Sequence, residues 1–169
     1  MTIPPGARTR TAPGRRAGPA HAPSLTLVVQ AAVPDADLPR RPTLRRWAGA
    51  ALERDAAVTV RFVGTREGRA LNARFRGRDY ATNVLTFVYD EGAMLAGDLV
   101  LCVPVLRREA RERPSFRAHC AHLVIHGMLH LQGYDHERTA DARRMEARET
   151  ALLAHLGYPD PYLTHDPVD

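Results

Sequence analysis

The chain has 169 residues, 25% of them charged, and a formal net charge of +5. That length suits one domain with a proper core. No apolar run approaches the ~18 residues of a helical membrane span, so a membrane-spanning chain is excluded and a soluble one expected. The two cysteines, Cys102 and Cys120, form no C-x-x-C pair; this excludes a disulfide framework and predicts reduced thiols in a cytoplasmic setting.

All 24 cations are arginine. Residues 1–89 hold 15 of them against 6 acidic residues, whereas residues 90–169 hold 9 against 13. A GC-rich genome explains arginine in place of lysine. The planar guanidinium fork also suits phosphate oxygens. The asymmetry favours an acidic partner for the first half.

Residues 1–23 are rich in Pro, Arg, Ala and Gly, with no acidic residue before Asp35. Such a stretch has almost nothing to bury and reads as a disordered arm. It lacks the apolar core of a secretory signal, although a transit peptide is also Arg-rich and acid-free. Residues 24–163 are expected to form the single domain, and 164–169 an irregular tail.

Leu25 to Ala31 is apolar and β-branched and predicts a first strand. From Thr43, the residues Leu44, Trp47, Ala48, Ala51 and Leu52 recur with helical spacing. Arg45 and Arg46 fall on the wet side of that helix. Val58, Val60 and Phe62 alternate with polar neighbours as a half-buried strand. Thr65 is a candidate cap for a helix that Gly77 ends. A polar loop, 76–83, leads to a third strand at Val84–Tyr89. Gly97 to Val103 predicts a fourth strand, close enough to pair with the third as an antiparallel hairpin. Pro104 suits the first turn of a short helix.

Ser115 is positioned to cap a long helix that is apolar nearly all round, through Ala118, Ala121, Leu123, Val124, Ile125, Met128 and Leu129. A helix of that kind belongs at the centre of the fold. Thr139 is a candidate cap for a last helix, with Met145, Leu152, Leu153 and Leu156 as its inward row. Strands and helices mix without strict alternation. The class is therefore α+β: a small mixed four-stranded sheet packed against helices, one of them long and central.

The chemistry lies at the end of the long helix. His126 and His130 are four residues apart, which stacks both imidazoles on one helix face. Gly133 follows where a helix commonly stops, because glycine adopts the left-handed backbone without a Cβ clash. The chain can then turn and bring His136 to the same point. Three neutral imidazoles with an open fourth position make a catalytic metal site, most simply for Zn²⁺. The spacing H-x-x-x-H-x-x-G-x-x-H is that of metzincin proteases, but their Glu general base is replaced here by Gly127. A structural zinc would want a fourth ligand. Cys120 lies six residues before His126, about 120° off its face, and reads as a buried small residue. Asp135, beside a ligand, could orient an imidazole from behind. His122, one turn before His126, reads equally as a proton shuttle or a satisfied buried histidine. His119 reads as structural.

The run from His126 through His136 resembles the signature of the YbeY family of bacterial rRNA maturation factors. Leu71-Asn72-x-x-Phe75-Arg76-Gly77-x-Asp79 resembles that family's loop around its essential arginine. Thr82-Asn83-Val84-Leu85-Thr86-Phe87, Gly97-Asp98-Leu99 and Asp160-Pro161-Tyr162 are similar to three further stretches. Tyr80-Ala81 departs from the commoner Lys-Pro, and Thr86 from Ser. The resemblance implies a metal-dependent endoribonuclease specific for single-stranded RNA. It would act in maturing the 3′ end of 16S rRNA and in ribosome quality control. It implies His126, His130 and His136 as metal ligands and Arg76 as the catalytic or substrate-binding arginine. The implied partners are rRNA, the small ribosomal subunit and a Ras-like ribosome-assembly GTPase. Water and the RNA's own 2′-hydroxyl are both available as nucleophile. Two other readings compete: a metzincin-like metallopeptidase, and a non-catalytic RNA-binding assembly factor with a structural zinc.

Overall fold

A computed structural model describes residues 21–163. Residues 1–20 of the expected arm and the tail at 164–169 lie outside the described residues. Each strand expected from alternation is present, with ends within two residues of those expected: β1 Leu25–Ala31, β2 Ala56–Val63, β3 Val84–Asp90 and β4 Leu95–Cys102. The helices are α1 Arg41–Ala50, α2 Thr65–Arg76, α3 Val103–Glu109, α4 Phe116–Leu131 and α5 Thr139–His155, with a short 3-10 turn at Ala110–Glu112.

The sheet runs β1-β2-β4-β3. β1 and β4 are both parallel to β2, and β3 returns antiparallel against β4. The architecture is the expected α+β, with a mixed sheet. Alternation divides its two faces. Leu27, Val58, Val60, Leu99 and Leu101 point into the main core with Trp47 of α1, Val124 and Met128 of α4, and Leu153 of α5. Val63, Leu85, Val100 and Cys102 form a smaller cluster with Val105 of α3, against which Leu71 of α2 packs. Burying one such large side chain contributes about 1.5–3 kcal/mol, so the main core dominates the stability. The free edge of β1 is covered from α1. Arg41 donates to the Leu27 carbonyl at 3.3 and 3.1 Å, and Arg45 to the Leu25 carbonyl at 2.9 Å. These guanidinium groups occupy acceptors that would otherwise recruit another strand.

α4 is the central element, with 11 of its 16 residues buried. Ser115 caps it as expected, its hydroxyl accepting from the Ala118 N–H at 3.0 Å. The other two expected caps are corrected. Thr65 and Thr139 each lie one residue inside their helices, and Gly64 and Arg138 hold the cap positions without a side-chain hydrogen bond. Gly64, between β2 and α2, keeps the extended backbone of a cap position, and Thr65 already takes helical backbone as the first residue of α2.

Gly127 sets how closely α4 approaches the sheet. A Cβ built there would stand 2.7 Å from Leu99 Cδ2 and 3.4 Å from Thr86 Cγ2. Leu99 is fully buried and has little room to yield. Gly127→Ala is therefore expected to cost about 1–3 kcal/mol through overpacking. Thermal unfolding of the metal-free variant should show a drop of roughly 2–4 °C per kcal/mol for a chain of this size. An unchanged melting temperature would mean that helix and sheet separate freely.

Candidate metal centre

α4 carries His126 and His130 on one face, as their spacing requires. The helix stops at Gln132, and Gly133 reverses the chain with φ +93°. Gly133 N–H donates to the His130 carbonyl at 3.0 Å and Tyr134 N–H to the Leu129 carbonyl at 3.1 Å, satisfying the last helical acceptors. Asp135 then fixes the next turn. Its Oδ1 accepts from the backbone N–H groups of His136 and Glu137 at 2.6 and 3.2 Å. Asp135 thus supports a candidate ligand through its backbone, a different contact from the imidazole hydrogen bond expected of it.

The result is a convergent triad. The ring centroids of His126 and His130 are 4.5 Å apart, those of His130 and His136 4.8 Å, and those of His126 and His136 5.9 Å. One nitrogen from each lies within 4.8 Å of the other two. His126 and His130 are half-buried and His136 is exposed, so the triad opens to solvent on one side. His130 Nδ1 is 2.9 Å from the Tyr134 carbonyl, which can only accept. That hydrogen bond places the proton on Nδ1 and leaves Nε2 bare. Burial, followed by the nearby His126 and His136 rings, pushes the His130 pKa below its ordinary value. Burial and the neighbouring rings favour the neutral imidazole a metal needs, and the Tyr134 carbonyl leaves its Nε2 free, so the donor set fits a first-row ion.

The triad opens into a cleft of about 440 Å³, whose other wall includes Arg76, Thr82, Asn83, Val84 and Thr86. Arg76 ends α2, where Gly77 takes φ +66° and releases the chain into the loop. That loop is braced on both sides. Arg69 forms two 2.8 Å bonds with Asp79, and Asn72 Nδ2 donates to the Tyr80 carbonyl at 2.7 Å. Asn83 Nδ2 donates to Glu109 at 3.1 Å, and Glu109 meets His119 Nε2 at 2.7 Å. The structural role expected for His119 is thus visible. The Arg76 guanidinium makes one long contact, 3.5 Å to the Thr86 carbonyl, and no ion pair among the described residues. It is exposed and available to an anion in the cleft.

Two residues at the site were not found from the sequence. Glu149 of α5 is fully buried. Its Oε1 lies 2.6 Å from His126 Nδ1, and its Oε2 lies 3.0 Å from His122 Nε2 and accepts from the Tyr162 hydroxyl. Burial alone would raise its pKa. Hydrogen bonds from His122, His126 and Tyr162 outweigh burial and hold it at about 2. Tyr162 also lines a second cleft with His126, His136, Met145 and Glu146. A signal for Glu149 was present: it stands in the inward row of α5, four residues after Met145 and three before Leu152, a row otherwise apolar. Cys120 is buried in the main core, its thiol pushed up to about 12 by burial, and neither cysteine is bonded to the other.

An α+β domain with three convergent imidazoles, an open face and a guanidinium across the cleft has the layout of a metal-dependent hydrolase acting on an anionic substrate. Residues 43–157 match the family model described as Endoribonuclease YbeY. The chain belongs to that family. A relative named Endoribonuclease YbeY from Aromatoleum aromaticum is 61% identical over 142 residues, covering 82% of this chain and 92% of the relative. One from Nitrosomonas europaea is 51% identical over 146 residues, covering 86% and 89%. The solution structure of TM1509 from Thermotoga maritima superposes with a TM-score of 0.51 at 26% identity, covering 78% of this chain and 92% of that one.

Proposed function

We propose that this protein is a metal-dependent endoribonuclease that cleaves single-stranded RNA during rRNA maturation. The observation that carries the reading is three imidazoles converging in a cleft that faces Arg76, within a chain of the YbeY family. His126, His130 and His136 would hold the ion through three nitrogens, with zinc the simplest occupant. Such an ion supplies Lewis acidity at the scissile phosphate. Arg76 offers its donors to the non-bridging phosphate oxygens, where charge grows in the transition state. The Tyr134 carbonyl keeps the His130 imidazole in the ligating tautomer. Whether water or the 2′-hydroxyl attacks is read from the products, because a 2′,3′-cyclic phosphate end requires the latter.

In the cell we assign it to maturation of the 3′ end of 16S rRNA and to ribosome quality control in the cytoplasm. Its partners there are the small ribosomal subunit and a Ras-like ribosome-assembly GTPase. The family resemblance supports these finer assignments. No helix among the described residues is long and apolar enough to cross a membrane. A peptidase reading is disfavoured because Gly127 faces Leu99 and Thr86, so the place of the protease base points into the sheet. A closed structural zinc is disfavoured by the exposed third histidine.

Chelation tests the proposal directly. Removing the metal is expected to abolish cleavage of a single-stranded RNA, and Zn²⁺ should restore it. The melting temperature should fall as well, since an ion at 100 times its Kd stabilises by about 2.7 kcal/mol. Full cleavage by metal-free protein would overturn the assignment.

A further inference from the structure

We propose that Glu149 is a positioning residue for the metal centre, locking His126 in the tautomer that presents Nε2, and that Tyr162 and His122 hold Glu149 in place. The inference rests on reading His126, His130 and His136 as the ligands. A carboxylate inside an apolar helix row is strongly unfavourable unless every lone pair is engaged. Here three donors converge on it: His126 at 2.6 Å, His122 at 3.0 Å and the Tyr162 hydroxyl. With Oε2 already facing His122 and the Tyr162 hydroxyl, the 2.6 Å contact at Oε1 assigns the His126 proton to Nδ1. Nε2 is then left with its lone pair free. A carboxylate behind a ligating imidazole also raises its basicity and fixes its ring plane.

The same atoms allow a rival reading. His122, His126 and Glu149 could themselves form a second metal group. The separations argue against it. At 2.6 and 3.0 Å they are hydrogen-bond lengths, with both carboxylate oxygens already accepting. The Tyr162 ring stands edge-on to His122 with centroids 5.5 Å apart. Tyr162 in turn belongs to a segment fastened at several points. Arg113 donates to the Pro161 carbonyl at 2.9 Å, and Asp160 Oδ1 accepts from Tyr162 N–H at 2.9 Å and from the Thr150 hydroxyl at 3.4 Å. The C-terminal segment thus reaches the metal centre through Tyr162, Glu149 and His126.

The test uses the full chain, with Zn²⁺ affinity measured by chelator competition and the His126 tautomer read by ¹⁵N NMR of metal-free protein. Glu149→Gln is expected to weaken Zn²⁺ binding about 10–100-fold. It should also convert His126 from a pure Nδ1–H form to a mixture. Tyr162→Phe keeps the ring and should shift both readouts in the same direction by less. Because replacing a buried charge can stabilise the metal-free fold, a loss of affinity without a loss of melting temperature is the signature of positioning. Wild-type affinity and tautomer in Glu149→Gln would overturn this inference alone. Two Zn²⁺ ions per wild-type chain, with the second lost in Glu149→Gln, would instead establish the rival site. A wild-type chain that binds no metal, or His130→Ala binding as tightly as wild type, would overturn the ligand reading itself.

Discussion

His130→Ala is expected to remove the metal and all RNA cleavage while leaving the metal-free fold standing. His130 is the middle of the triad, with the two shortest ring separations, 4.5 and 4.8 Å. Without it, two nitrogens on different segments remain, one on α4 and one after the Gly133 reversal. Losing an outer-sphere partner costs 10–100-fold in metal affinity, so losing a ligand should cost more than about 100-fold. The structural penalty is small. The Nδ1 hydrogen bond to the Tyr134 carbonyl is lost, worth about 1 kcal/mol. Alanine has the better helix propensity and does not bury a polar ring, which offsets part of that. Metal content, cleavage and melting of chelator-treated protein should therefore separate cleanly. A variant that keeps stoichiometric zinc would mean that His130 is not a ligand.

Arg76→Ala is expected to produce the opposite pattern, with metal retained and catalysis lost. The guanidinium is exposed, lines the cleft with the triad and, among the described residues, is held only by the 3.5 Å contact to the Thr86 carbonyl. Its removal should leave melting and zinc content unchanged. Donors aimed at developing charge are worth about 10²–10³ in kcat, and a loss of that size is expected here. Arg76→Lys should recover only part, since an ammonium lacks the planar fork that engages two phosphate oxygens. The neighbouring Arg69 is committed to Asp79 and Arg61 to Glu67, so neither substitutes readily. Activity within a few-fold of wild type in Arg76→Ala would remove this residue from the mechanism.

Most of the candidate site was legible because it is local. His126, His130, Gly133 and His136 span 11 residues, and helical geometry followed by one left-handed glycine brings them together. The strands were legible for a similar reason, since alternation at Val58, Val60 and Phe62 records which side of β2 faces the core. Caps were less legible. Thr65 and Thr139 have the right chemistry, but a displacement of one residue turns a cap into the first helical position.

The amino-acid order by itself determined the class of fold and the pairing of His126 with His130, because both follow from the period of a helix or strand; Gly133 marked the turn that returns His136, and the missing protease base is read directly at Gly127. Only the tertiary structure decided what stands behind His126. Glu149 lies 23 residues away on another helix and Tyr162 lies 36 away. No local period relates them to α4. Their meeting depends on how α5 and the C-terminal segment pack against α4. The role of Gly127 was likewise settled by packing, because a glycine shows what it leaves room for only when Leu99 and Thr86 stand opposite it.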